Sequence, residues 1–362
     1  MISSSVFLKE VARRKVRVDA YLKKRQSIMR FRPPDIEEAA LSYFSLGGKS
    51  LRPAVLLFSC GAVGGREEKA LPAAAAVEVY HTWTLVHDDI IDRDRRRRGG
   101  ETVHERFRRL SASRYRLSPE GALHYGLAVA ILAGDIQQGW MVGLLSDLCE
   151  RKGLAPELAL ALIRDLELGV HSALIEGELL DVQYALRPFS EVCEQDILHM
   201  VEMKTGALFG FAGRAGAMIG LETTDARHSW VKTIASFCRD CGVAFQLQDD
   251  ILGLVGDEKR LGKEVGSDLR EGKKTILLTK AWKEASPRGR RRIERALGKK
   301  DLSSAEGKVV AELVVRLGGV TYTQALALGL VRSGLGRLAA LPGSRYKDLL
   351  ASWGNYLVQR TF

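Results

Sequence analysis

Two aspartate pairs, far apart in the chain, constrain the fold most. One stands in "LVHDDIIDRDRRRRGG", residues 85–100, and the other in "FQLQDDILG", residues 245–253. Each pair sits on a run whose apolar residues recur at the helical period, and carboxylates on an apolar helix need a partner for their charge. Only a fold that brings the two helices face to face makes sense of both pairs.

The rest of the chain supplies such a fold. Long Ala- and Leu-rich stretches, among them "LPAAAAVEVYHTWTLVHDDIID", "GALHYGLAVAILAGDIQQGWMVGLLSDL" and "WVKTIASFCRDCGVAFQLQDDILGLVGD", are separated by Gly, Pro or Ser. No hairpin signal or alternating strand pattern stands out, so the class is all-α. Helices that are apolar on more than one side point to a large bundle with buried central members. No low-complexity linker divides the 362 residues, and 46% hydrophobic content suffices for one large core, so 1–362 reads as a single domain.

Composition removes several alternatives. Five scattered cysteines are too few for a disulfide scaffold, and Cys238 and Cys241 of "CRDC" have no second pair to complete a metal site. They read as small residues on a buried helix. Asp135 and Gln137 interrupt the longest apolar run, so no membrane span is expected. The N-terminus lacks the apolar core and cleavage site of a secretory signal, and the cytoplasm is the expected location. The net charge of +11 fits nucleic acid, an anionic membrane or polyanionic small substrates. "SPRGRRRIER", with Ser286 as N-cap and Pro287 at the first helical position, reads as the start of an exposed helix.

On a helix, Asp88 and Asp92 face the same way, and His81 shares that face about two turns earlier. Stacked carboxylates repel unless a cation sits between them. Hard oxygen donors suit Mg²⁺, which retains some waters and takes phosphate oxygens as further ligands. The second pair, Asp249 and Asp250, is preceded by Gln246 and followed by Lys263, Asp268, Lys273 and Lys274. A cavity lined by acids, with metals bridging to a diphosphate, explains both motifs together.

In order along the chain come "GGKSLRP", "HDDIIDRDRRRRG" with "TVH", "GELLD", "KTG", "FQLQDD" and "GKEVGSDLREGKKT". Together these blocks resemble the trans-isoprenyl diphosphate synthases over roughly residues 35–345. The resemblance implies a bundle of mostly antiparallel helices around a deep cavity, assembled as a homodimer. It implies condensation of isopentenyl diphosphate with dimethylallyl, geranyl or farnesyl diphosphate, assisted by roughly two or three Mg²⁺ ions.

Residue by residue, it implies that Asp88 and Asp92, with Asp89 supporting, and Asp249 with Asp250 opposite, hold the metal. Arg97, Lys263 and Lys273 would contact the allylic diphosphate. Lys49, Arg52, His81 and Arg98 would form the isopentenyl diphosphate site, where a metal-free diphosphate needs cations. Lys204, Thr205 and Gln246 match positions flanking the reacting carbons. Gly253 stands where many members carry a third aspartate, which weakens any claim for another carboxylate there.

Product length turns on what lies below Asp88. Trp83 is five residues earlier, roughly 7.5 Å down the helix, and Tyr80 lies about one further turn away. An aromatic at Trp83 with the small Thr84 beside it resembles the archaeal geranylgeranyl type, so geranylgeranyl diphosphate is the expected product. The bulk of tryptophan makes farnesyl diphosphate the alternative. A class I terpene cyclase would share the fold and the aspartates, yet would have no use for Lys49, Arg52 and the Arg97-Arg98 pair. A nucleic-acid or membrane-binding helical protein would explain the charge and leave the matched acidic helices without a purpose.

Overall fold

The computed structural model describes residues 2–26, 31, 33–256 and 266–359. Its helices are α1 (Ser4–Arg25), α2 (Pro34–Leu41), α3 (Leu51–Ala62), α4 (Glu67–Ile91), α5 (Val103–Arg114), α6 (Pro119–Glu150), α7 (Pro156–Arg164), α8 (His171–Leu186), α9 (Glu194–Val201), α10 (Ala207–Leu221) and α11 (Ser229–Val255). They continue with α12 (Ser267–Glu271), α13 (Ile276–Glu284), α14 (Pro287–Ala296), α15 (Ser304–Arg316), α16 (Gly319–Leu338) and α17 (Arg345–Gln359). The all-α expectation holds.

The centre of the bundle is a chain of pairwise packings in which α6 lies on α4, α4 on α3, α3 on α10, α10 on α11 and α11 on α16. Small residues let these axes approach. Ala73, Ala74, Ala75 and Ala76 of α4 are all fully buried. A Cβ on Gly216 of α10 would come within 2.2 Å of the Leu56 carbonyl oxygen on α3, so only glycine fits that crossing. Cys238 and Cys241 are buried on α11, as the sequence suggests. The Ser286 side chain accepts a hydrogen bond from the Gly289 amide at 3.3 Å and caps α14, again as expected. A smaller apolar cluster under α13, α14 and α15 adjoins the main core.

Three local features depart from the sequence reading. The stretch from "DIEEAAL" to "VLLFSC", helical in period throughout, is broken by the "GGKS" segment, where Gly47, Gly48 and Ser50 have positive φ. The stretches 157–185 and 194–220, continuous in helical period, each contain a π-helical turn, at Asp165–Val170 and Glu202–Gly206. A short hairpin, β1 (Arg96–Arg97) with β2 (Gly100–Glu101), turns through Arg98 and Gly99, both at positive φ. Its two-residue turn matches strand twist, but an arginine in the left-handed region gives no sequence warning.

Helix α6 is long and apolar enough, by length and composition alone, to cross a membrane. In the fold it packs along α4 and α5, and its buried Gln137 amide donates to the Ala40 carbonyl at 2.8 Å. Its Leu123, Ile131 and Leu132 are exposed.

Candidate active site

The facing-helix arrangement required by the two aspartate pairs is present. A cavity of about 770 Å³ is lined from one side by His81, Trp83, Thr84, Asp88 and Asp92 of α4 and its cap, and from another by Gln246, Asp249 and Asp250 of α11. Lys49 and Arg52 reach it from the "GGKSLRP" segment, Arg97 and Arg98 from the hairpin, and Lys204 and Thr205 from the π-turn. Lys273 completes this wall from the segment after α12. Lys263 lies outside the described residues.

The local structure explains how these side chains converge. Asp92 caps α4, so its carboxylate stands at the helix mouth while Asp88 remains one turn inside. The π-turn at Glu202–Gly206 adds a residue to the helical repeat and rotates Lys204 and Thr205 toward α8 and α11. Thr205 donates to the Gln246 side-chain oxygen at 3.0 Å, and the Gln246 amide donates to Asp250 at 2.8 Å. Close approach of α8 needs Gly177, whose Cβ would lie 2.5 Å from the Lys204 amide nitrogen.

Lysines occupy the carboxylate lattice. Lys204 Nζ lies 2.7 Å from Asp181, 2.9 Å from Glu178 and 3.3 Å from Asp88. Lys273 Nζ lies 2.6 Å from Asp92 and 2.7 Å from Glu271. Burial works against both ammonium groups, yet the surrounding acids outweigh it and hold both pKa values above the ordinary lysine value. On the acid side burial dominates. It raises Asp92 and Glu178, takes Glu271 to about 7, and drives Asp250 well up with help from Asp268 and Asp249.

The second pocket wall is cationic and has a different character. Arg52 lies against the Phe209 ring at 4.4 Å and points a guanidinium nitrogen at His81 Nε2, 3.2 Å away. Burial lowers the Arg52 pKa to about 10, which leaves the side chain charged at neutral pH. Lys49 donates to the Tyr356 hydroxyl at 3.0 Å, and Arg98 reaches the Gly47 carbonyl. Beside them lies half-buried Glu78, which accepts from Ser50 at 2.8 Å and has its other carboxylate oxygen buried without a hydrogen-bond partner.

Three expectations are corrected here. Asp89 does not face the cavity: it is fully buried, accepts from Tyr43 and pairs with Arg97. Lying about 100° around the helix from Asp88, it positions the Arg97 guanidinium, which also reaches Asp88 at 3.2 Å. His81 is not a cation. Burial, then Arg52 and Arg98, push its pKa well below the usual value, so its neutral ring aligns Arg52. Tyr80 likewise stays off the cavity surface, packed 5.2 Å behind Trp83.

Sequence reasoning left Glu78, Glu178, Asp181 and Glu271 unassigned. Glu78 had a readable signal, since it precedes His81 by one turn on the same face. Glu178 and Asp181 lay inside the "GELLD" block, but their partnership with Lys204 depends on a π-turn that no periodicity announces.

The donor set fits a hard divalent cation in one particular way. All the candidate ligands are carboxylate oxygens, and one Glu178 oxygen is buried with no hydrogen-bond partner. Among the described residues, however, no three acidic, histidine or cysteine side chains converge closely enough to hold an ion by themselves. An ion here would need ligands that the protein does not supply, as Mg²⁺ does when it takes water and phosphate oxygens.

Comparison with known proteins agrees with this geometry. The polyprenyl synthetase family model matches residues 33–314. A geranylgeranyl diphosphate synthase of Sulfolobus acidocaldarius is 38% identical over 283 residues, 78% of this chain and 77% of the relative. The crystal structure of geranylgeranyl pyrophosphate synthetase from Pyrococcus horikoshii superposes with TM-score 0.82 at 31% identity, covering 98% of this chain and 99% of that one. A Corynebacterium glutamicum geranylgeranyl pyrophosphate synthase, complexed with isoprenyl diphosphate and magnesium, gives TM-score 0.84 at 27% identity, with coverage of 99% and 100%.

Proposed function

The chain belongs to the polyprenyl synthetase family, and on that premise we propose that it is a prenyltransferase that adds isopentenyl units to allylic diphosphates, with geranylgeranyl diphosphate as product. The observation that carries the reading is the pairing of two unlike sites in one cavity, one of facing carboxylates and one of convergent cations. A terpene cyclase consumes a single diphosphate and has no use for the second.

Asp88, Asp92, Asp249 and Asp250 would hold Mg²⁺, and Lys204, Lys273 and Arg97 would bind the allylic diphosphate beside it. Bound there, roughly two or three Mg²⁺ ions would offset the charge that builds on the leaving diphosphate. Lys49, Arg52 and Arg98 bind the isopentenyl diphosphate, with neutral His81 orienting Arg52. The allylic carbon–oxygen bond breaks with its electron pair going to the diphosphate, and the isopentenyl double bond attacks the cation that remains. The carbocation formed by that attack loses a proton to the released diphosphate, which yields the new allylic product. Thr205 and Gln246, locked to each other, present fixed dipoles next to the reacting carbons. The apolar lower wall excludes water that would quench the cation.

Thr84 leaves room beside the helix while Trp83 closes the base, an arrangement that supports geranylgeranyl over farnesyl diphosphate. Exposed Leu132, Leu168, Leu179 and Leu186 on α6, the adjoining π-turn and α8 support a homodimer buried through that face. All five cysteines are free, in keeping with a single cytoplasmic domain. Incubation with radiolabelled isopentenyl diphosphate, dimethylallyl diphosphate and Mg²⁺, followed by sizing of the dephosphorylated products, tests the reading. A chain that incorporates no label, or that releases cyclised hydrocarbon, contradicts it.

A further inference from the structure

The base of the cavity is closed by several rings. Trp83 has the His87 ring 4.9 Å away on one side and the His171 ring of α8 at 4.8 Å on another, with Tyr80 behind. His87 immediately precedes the first metal-site aspartate, yet its ring turns away from the acids. Its Nδ1 donates to the Trp83 carbonyl at 3.0 Å, and the ring lines the cavity.

The space for that ring comes from the opposing helix. A Cβ built on Gly134 of α6 would lie 2.0 Å from His87 Cε1 and 2.9 Å from both ring nitrogens. No side chain tolerates such overlap, so the ring occupies a notch that exists because residue 134 has no side chain. Trp83 stands on one flank and the ring's own helix above it. A methyl group at 134 therefore drives the imidazole toward the open cavity.

We propose that His87, seated in the Gly134 notch, is a specificity-determining residue that sets product length jointly with Trp83. The inference rests on the prenyltransferase reading above. With the ring in its notch, the growing tail runs down to Trp83. With the ring displaced into the cavity, the tail meets it sooner and elongation stops earlier. With the ring removed, Trp83 loses the neighbour that holds its indole across the base, and the tail extends further.

Gly134→Ala, His87→Ala and the double variant, each incubated with radiolabelled isopentenyl diphosphate, dimethylallyl diphosphate and Mg²⁺, test this by product sizing. Gly134→Ala is expected to shift the main product one isoprene unit shorter, and His87→Ala at least one unit longer. The double variant should follow His87→Ala, because the added methyl then fills space the ring has vacated. Should Gly134→Ala lose its cooperative thermal transition, His87→Ala decides alone. Unchanged product length in an active His87→Ala enzyme, or a double variant as short as Gly134→Ala, overturns the inference. A wild-type chain that incorporates no isopentenyl diphosphate overturns the functional reading, and this inference with it.

Discussion

Single residues in this cavity separate by the charge they answer. Asp88→Ala removes an oxygen donor and also one neighbour of Lys204. Turnover is expected to fall by roughly a hundredfold or more with the thermal transition preserved, since losing one such electrostatic contact costs about that in other enzymes. Steady-state kinetics beside a melting curve checks both halves. Arg52→Ala should act on the other substrate, raising KM for isopentenyl diphosphate by about tenfold to a hundredfold with a smaller effect on the allylic KM. An effect confined to the allylic substrate would refute the placement. Trp83→Ala should lengthen the product while costing about 3–5 kcal/mol of stability, since the indole is part of the core as well as the floor. At this scale the sequence was most legible where side-chain spacing alone defines a face, as for His81, Asp88 and Asp92. It was least legible for protonation. Nothing in "VYHTW" says that His81 is neutral, because that depends on its burial in the fold and on Arg52 and Arg98 arriving from other segments.

At the scale of elements, helix identity was easy to read and helix interruption was not. Long Ala- and Leu-rich runs bounded by Gly, Pro or Ser identify α4, α6 and α11. The π-turn at Glu202–Gly206 has the composition of an ordinary helix, and the backbone of α8 lies close against it at Gly177. Gly177→Ala is accordingly a test of the bulge. The added methyl, 2.5 Å from a backbone nitrogen, must push α8 away. A loss of about 1–3 kcal/mol in denaturant unfolding is expected from such overpacking. Turnover should fall further than stability does, because Lys204 and Thr205 ride on the displaced turn. Equal activity in a destabilised variant would show that the bulge serves packing alone. The hairpin at residues 96–101 was missed for a related reason, since its left-handed turn residue is an arginine whose guanidinium is tied down by the Gly47 carbonyl of a distant loop.

For the molecule as a whole, the acidic wall raises the question of what holds so many carboxylates together. Lys204 and Lys273 answer it from within, each bridging acids of different elements. Chelation of divalent ions is therefore expected to abolish turnover while leaving far-ultraviolet dichroism and the melting temperature unchanged. Magnesium together with inorganic pyrophosphate should raise the melting temperature by mass action, and either one alone should do so much less. A melting temperature that falls on chelation would show that metal is part of the fold. The deeper consequence concerns biogenesis. A chain whose interior supplies its own counter-ions can leave the ribosome and complete its folding at whatever magnesium level prevails. The ion need only arrive later, carried in with the first substrate.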